Sequence, residues 1–262
     1  MSLNVRTITA TRYVTPLREG GSLPAIVEAD DEGLYVLKFR GAGQGPKALI
    51  AELVSGEIGR ALGLPVPEIV FVELDAALAG TEPDPEIQDL LKASVGLNLA
   101  LDYLPGSVTF DPLVEKLTAE LASSVVWFDS YATNVDRTPR NANMLIWHKR
   151  LWLIDHGASL YFHHTWTNYL ERSRLAFDHV KEHILLPSAT MIRELDEILA
   201  ARLTPEVIGD IVGLIPDAWL ATDSTFESAE EFRRAYFDYL MRRLEPPRLF
   251  VQEAARAKSS LV

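Results

Sequence analysis

The apolar residues of this 262-residue chain change period once, near residue 104, and that change limits the folds open to it. Upstream, short runs alternate as strands do. Residues 23–39, LPAIVEADDEGLYVLKF, hold two such runs around Asp30-Asp31-Glu32-Gly33. This is a hairpin signal, because glycine can take positive φ where the chain reverses. In the second run Lys38 points away from Leu37 and shares a face with Val36. One helix interrupts the strands. Leu49, Leu53, Ile58 and Leu62 recur at near-helical spacing over 47–62, with Gly63 as a C-cap candidate and Pro65 and Pro67 beyond it. Residues 69–74 and 96–103 return to strand character around a polar insertion at 80–88.

Residues 104–112, LPGSVTFDP, read as a connector. Downstream the period becomes helical. Leu113, Leu117, Leu121, Val125 and Phe128 predict a long helix over 112–131. A polar loop at 133–143 leads to two short strands, 144–147 and 151–154. Helical patterns then cover 188–202, 205–215 and 228–244, the last opened by a capping box of Ser228 and Glu231. The expected fold is α+β: a small β-rich lobe with one helix at 1–104, and a mostly helical lobe with an embedded hairpin at 105–262.

Composition removes several functions. Lys plus Arg total 25 and Asp plus Glu 37, a net charge of −12. Such acidity speaks against direct nucleic-acid binding, which draws its affinity from cations on phosphate, and against anionic membrane. No Cys is present, which excludes disulfides, thiol nucleophiles and Cys-based metal sites and fits a cytoplasmic setting. No apolar run is long enough to span a bilayer, and the N-terminus, MSLNVRTITATRY, has no signal-peptide core.

Chemistry concentrates in 127–160, WFDSYATNVDRTPRNANMLIWHKRLWLIDHGASL. Asp136 is followed by Asn141 five residues later, and Asp155 ends the second strand of the hairpin. That pattern sets two carboxylates and an amide at neighbouring loop ends. Mg²⁺ takes hard oxygen ligands, usually one or two carboxylates completed by phosphate and water. A second carboxylate can accept a hydroxyl proton. Phosphoryl transfer needs this set, because its catalysis is mainly positioning and charge neutralisation.

The order D-x-x-x-x-N, hairpin, I-D-x-G resembles the catalytic and metal-binding loops of the protein-kinase-like superfamily, most closely the HipA-like and lipid-kinase-like branches. Asn134-Val135 precede Asp136 where protein kinases carry His-Arg. His156 takes the place of an aromatic residue, and no A-P-E element follows. Val36-Leu37-Lys38-Phe39 resembles the strand whose Lys holds the α- and β-phosphates. The run Ala61-Leu62-Gly63-Leu64-Pro65-Val66-Pro67 is similar to one that closes the next helix in HipA-like kinases. The resemblance implies Glu52 as the partner of Lys38. Glu57 is the rival, and a five-residue offset turns a helix by about 140° net, so only one of them can face Lys38. Pro16-Leu17-Arg18-Glu19-Gly20-Gly21-Ser22 resembles a phosphate-covering loop, and Leu101-Asp102-Tyr103-Leu104 a hinge whose backbone reads adenine.

The resemblance covers roughly residues 10–190. It implies an ATP- and Mg²⁺-dependent kinase, with Asp136 as catalytic base or positioner, Lys38 and Glu52 as the phosphate-holding pair, and Asn141 and Asp155 on the metal. Gly20, Gly21, Ser22, Asp102 and Tyr103 would meet the nucleotide, and Ser22 is an autophosphorylation candidate. A protein Ser/Thr is the expected acceptor. A small-molecule or lipid kinase and a nucleotide-binding pseudokinase serving as an interaction module are the alternatives. An antitoxin-like partner enters by family analogy alone.

Two further patterns receive plainer readings. Asp178, His179 and His183, with His163-His164 nearby, could ligate a transition metal if 176–186 were helical; hydrogen-bonded or surface histidines are the simpler expectation. Arg233, Arg234, Arg242 and Arg243 alternate with acidic residues and read as a salt-bridged, solvated helix face.

Overall fold

The computed structural model describes residues 4–17 and 23–261. Gly20, Gly21 and Ser22 lie outside the described residues.

Five strands form a closed barrel in the order β1-β2-β3-β5-β4. They are β1 (Thr7–Pro16), β2 (Ala25–Ala29), β3 (Leu34–Lys38), β4 (Ile69–Leu74) and β5 (Gly96–Asp102). β1 closes the ring by pairing antiparallel with β2 and parallel with β4, where Thr7, Ile8 and Thr9 face Phe71, Val72 and Glu73. Closure removes the exposed sheet edges that invite aggregation. Ile8, Ala10, Val27, Leu37, Val72 and Ala100 are among the residues filling the interior.

The β2–β3 hairpin forms as expected, with one correction. Glu32, not Gly33, takes positive φ, at 65°. Gly33 answers a different need: a Cβ there would lie 2.6 Å from the Tyr35 hydroxyl.

α1 (Pro46–Ala61) is buried from Leu49 through Gly59. It joins the outer faces of β4 and β5 to the helical body in one apolar core, in which Leu53, Ile58, Phe71, Leu99, Phe128 and Trp219 all take part. The polar insertion holds more structure than expected: a 3-10 turn at Ala76–Thr81 and α2 (Pro85–Ala93), capped by Asp84.

The expected connector at 104–112 holds a short strand, β6 (Val108–Thr109), which joins β7 (Met144–Trp147) and β8 (Arg150–Leu153) in a three-stranded sheet of order β6-β7-β8. α3 (Ala119–Ala132) begins seven residues later than its periodicity suggested. Asp111 Oδ1 accepts the Leu113 N–H at 2.8 Å in a turn, and Thr118 Oγ1 caps the true start through the Leu121 N–H at 3.2 Å. Leu113 is accordingly 85% exposed and takes no part in the helix face assigned to it.

The rest is helical: α4 (Tyr169–Arg172), α5 (Ile192–Arg202), α6 (Pro205–Gly213), α7 (Asp217–Leu220), α8 (Ala229–Leu244) and α9 (Leu249–Ser259). Ser228 caps α8 through the Glu231 N–H, and Glu231 reaches back to the Glu227 N–H. The arginine face is only half solvated. Arg234 pairs with Asp238 and Arg233 with Asp217. Arg243, however, is buried and donates to the carbonyls of Ser130, Tyr131, Ser173 and Leu175. No helix among the described residues is long and apolar enough to cross a membrane.

Candidate active site

The site lies where β3, α1 and the two loops around the β7–β8 hairpin converge. Lys38 is the last residue of β3 and directs its ammonium inward, to 2.7 Å from Asp155 Oδ1 and 3.7 Å from Glu52 Oε2. Glu52 comes from the buried face of α1. Its rival, Glu57, lies 3.3 Å from Arg60 instead. Burial alone would push the Glu52 carboxyl up, but the Lys38 ammonium and His156 outweigh it and hold the group at about 2. Burial would likewise lower Lys38. Glu52 and Asp155 reverse that and keep the amine charged.

Asp155 follows β8 and adopts φ 55°, a left-handed conformation uncommon outside glycine. Asn143 does the same at φ 48°. The two are joined, because the Ile154 N–H donates to the Asn143 carbonyl at 3.0 Å. Unusual backbone held by such bonds tends to collect where side chains must be aimed.

Asp136 sits on the facing loop. Its Oδ2 accepts from Asn141 Nδ2 at 2.7 Å and from Asn143 Nδ2 at 3.2 Å. The same loop is closed by paired backbone bonds of 3.0 Å between Thr138 and Asn141. With its amide nitrogen on Asp136, Asn141 has its carbonyl oxygen left to offer a ligand. Asp155 Oδ2 is available too.

These oxygens fit a hard divalent cation, which commonly takes few protein ligands and completes its shell with phosphate and water. Among the described residues no group of three His, Cys, Asp or Glu could hold a metal alone. That removes the transition-metal reading of the histidines. Asp178–Glu182 is a 3-10 turn, not an α-helix, so His179 and His183 do not share a helix face.

His183 does something else. Its Nδ1 accepts the Leu185 N–H at 3.0 Å, which places the ring proton on Nε2, and Nε2 donates to Asp129 at 2.9 Å. Asp129 is buried within α3 and also accepts from Asn134 Nδ2 at 2.9 Å and Arg137 Nε at 2.5 Å. Burial opposes ionisation of Asp129, but Arg137 and His183 hold its carboxyl well below the usual carboxylate range. Arg137 also donates to the Asn143 carbonyl. A buried charge network therefore grips the loop from beneath while Asp136 faces the cleft. Sequence reasoning missed Asn143 and Asp129; His183 is the hydrogen-bonded histidine of the simpler expectation, with a partner the sequence did not name. The Asn-Ala-Asn alternation at 141–143 was a usable signal for Asn143; nothing local marked Asp129 or its pairing with His183.

The cleft has two compartments that share Lys38, Asn141 and Asp155. One, of about 550 Å³, is walled by Val36, Leu101, Leu104, Leu145 and Ile154, with Asp102 and Tyr103 at its back. The amides of Asp102 and Tyr103 are already committed, to the carbonyls of Glu68 at 2.9 Å and Leu34 at 3.0 Å. Neither amide is therefore free to donate to a ligand. Leu17 and Pro24, bonded to each other at 2.7 Å, line the same compartment and flank the segment of Gly20, Gly21 and Ser22. The other compartment, of about 440 Å³, holds Asp136 and Glu52 and is lined further by Gly43, Gln44, Tyr161 and His164.

Comparison with known proteins identifies the fold and the family. Among solved structures, a Helicobacter pylori proinflammatory kinase, CtkA, matches with a TM-score of 0.56 at 15% identity, covering 98% of this chain and 99% of that one. The Golgi casein kinase with Mn/ADP bound matches with a TM-score of 0.54 at 11% identity, covering 98% and 74%. These likenesses establish a protein-kinase-like fold. No curated protein matches the chain by sequence. A family model described as HipA-like kinase matches residues 11–251, nearly the whole of the barrel, cleft and helical body, and the chain belongs to that family.

Proposed function

We propose that this kinase transfers the γ-phosphoryl group of ATP, in a Mg²⁺-dependent reaction, to a Ser or Thr hydroxyl of a protein. The observation that carries the reading is the meeting of the two compartments at Lys38, Asn141 and Asp155, with Asp136 on the far side. The apolar compartment suits a purine. The shared residues then fall at the phosphates, and the second compartment receives the acceptor. Lys38 neutralises the α- and β-phosphates as a point charge. Asp136, oriented by two amides, accepts the acceptor hydroxyl proton. Asn141 and Asp155 would hold the cation, which supplies charge neutralisation for the transferring group.

The neighbour with Mn/ADP bound supports an adenine nucleotide and a divalent cation, and its name supports a protein acceptor. The reading includes a nucleotide-covering lobe at 1–104, a catalytic lobe at 105–262 and a cytoplasmic location. Labelled ATP tests it. Wild type should transfer label in Mg²⁺. Asp136→Ala should keep nucleotide affinity but lose about 10²–10⁴-fold in kcat. Asp155→Asn should lose cation-dependent binding. Wild-type transfer by both variants contradicts the assignment. Binding without transfer by the wild type contradicts the catalytic part and leaves a nucleotide-binding scaffold.

A further inference from the structure

We infer that His156 is a positioning residue whose Nδ1–H holds Glu52, and through it the Lys38 ammonium, in place for nucleotide phosphates. The inference rests on the kinase reading above.

His156 is fully buried, and its Nδ1 lies 3.4 Å from Glu52 Oε1. A ring lone pair facing an ionised carboxylate would be repelled, so the proton sits on Nδ1. Nε2 is buried and, among the described residues, has no hydrogen-bond partner. The ring meets Phe128 edge-on at 5.7 Å. As a packing residue alone, histidine is a poor choice here. A phenyl ring would fill the space without burying an unpartnered nitrogen, which is unfavourable. What histidine adds is the bond to Glu52.

Glu52 needs that bond. Among the described residues the His156 ring is the one side-chain donor within 3.5 Å of its carboxylate; the His156 backbone N–H also contributes, and Oε2 is buried with Lys38 3.7 Å away. Lys38 is close enough to attract it but hydrogen-bonds to Asp155. If the cation takes Asp155, Lys38 must find its carboxylate in Glu52. His156 joins these parts across the fold: Glu52 is carried by α1, His156 by the segment leaving β8. The residue beside the metal-binding Asp thus fixes the carboxylate that receives the lysine, by a directed bond rather than by packing.

The test measures the Kd of Mg·ATP by calorimetry, with steady-state kinetics alongside. His156→Phe keeps the ring and removes the donor. It should bind Mg·ATP about tenfold more weakly, the low end of what loss of an outer-shell partner costs. His156→Asn puts an N–H close to the position of Nδ1 and should recover most of the affinity. His156→Gln, whose N–H falls near Nε2, should not. In a Glu52→Gln background His156→Phe should add nothing further. The inference is overturned if His156→Phe folds and binds as wild type does, or if its effect persists undiminished in the Glu52→Gln background. Should His156→Phe fail to fold, equal affinities for the Asn and Gln variants overturn it. Wild type that binds no Mg·ATP would sink the kinase reading itself; wild type that binds while the variants do not differ sinks only the role of His156.

Discussion

Lys38 stands between two carboxylates and hydrogen-bonds to one of them, Asp155. The other, Glu52, ionises at about 2 within the fold against 4.5 for an unperturbed glutamate. Folding therefore favours its charged form. The stability this contributes is complete above about pH 4.5 and is lost as pH falls toward 2. Urea unfolding of Glu52→Gln across that interval should show a shallower loss than wild type; identical pH profiles would mean Glu52 is not held as described. The residues around Lys38 were legible because each sits in a short motif of fixed order: Lys38 in a strand, Glu52 in the next helix, Asp136 and Asn141 five apart, Asp155 after a hairpin. Asp129 and its pairing with His183 were not. The two residues lie 54 positions apart and meet only through the packing of α3 against the 3-10 turn. An aspartate amid apolar residues has no local sign of its partner. Replacing it is expected to be severe: Asp129→Asn leaves the buried Arg137 with a neutral partner, and breaking such a pair costs about 3–5 kcal/mol. A denaturant midpoint close to wild type would refute the network's role.

The elements teach a related lesson. Apolar spacing extended α3 back to residue 112, but two oxygens decided its start. Asp111 turns the chain, and Thr118 supplies the cap. Thr118→Ala should cost about 1 kcal/mol, while Leu113→Ser, at an exposed loop position, should change stability by less than about 0.5 kcal/mol. Equal losses from the two would restore the longer helix. The capping box at Ser228 was readable because both of its bonds are local. β1 was harder. Its alternation is weak after Ala10, and its pairing with β4 joins segments some 60 residues apart, so nothing near it in sequence marks it as the strand that closes a barrel. α1 shows how tightly the next layer fits. A Cβ on Gly56 would lie 2.4 Å from Ile69 Cδ1, and Gly56→Ala should destabilise by about 1–3 kcal/mol through overpacking.

At the scale of the whole molecule, one change of apolar period foretold a strand-rich part and a helix-rich part. It did not foretell how they are joined. α1 belongs by sequence to the first part and by packing to both. Trp219 of α7 donates to the Leu97 carbonyl on β5 at 3.0 Å, and Arg202 of α5 to the Leu62 carbonyl at 2.5 Å. The cleft is thus floored by a continuous core, which keeps Lys38 and Glu52 in register with Asp136 and Asp155. The charge of −12 gains meaning here. An acidic protein that binds a nucleotide must gather cations locally, and Lys38 with a bound divalent ion would provide that field. A crystal of the protein with a non-hydrolysable ATP analogue and Mn²⁺, whose anomalous signal locates the metal, puts this to the test. The ion should lie between Asn141 Oδ1, Asp155 and the phosphates, with the purine against Val36, Leu104 and Leu145. A nucleotide bound elsewhere, or a metal peak away from Asn141 and Asp155, would contradict the assignment of the site.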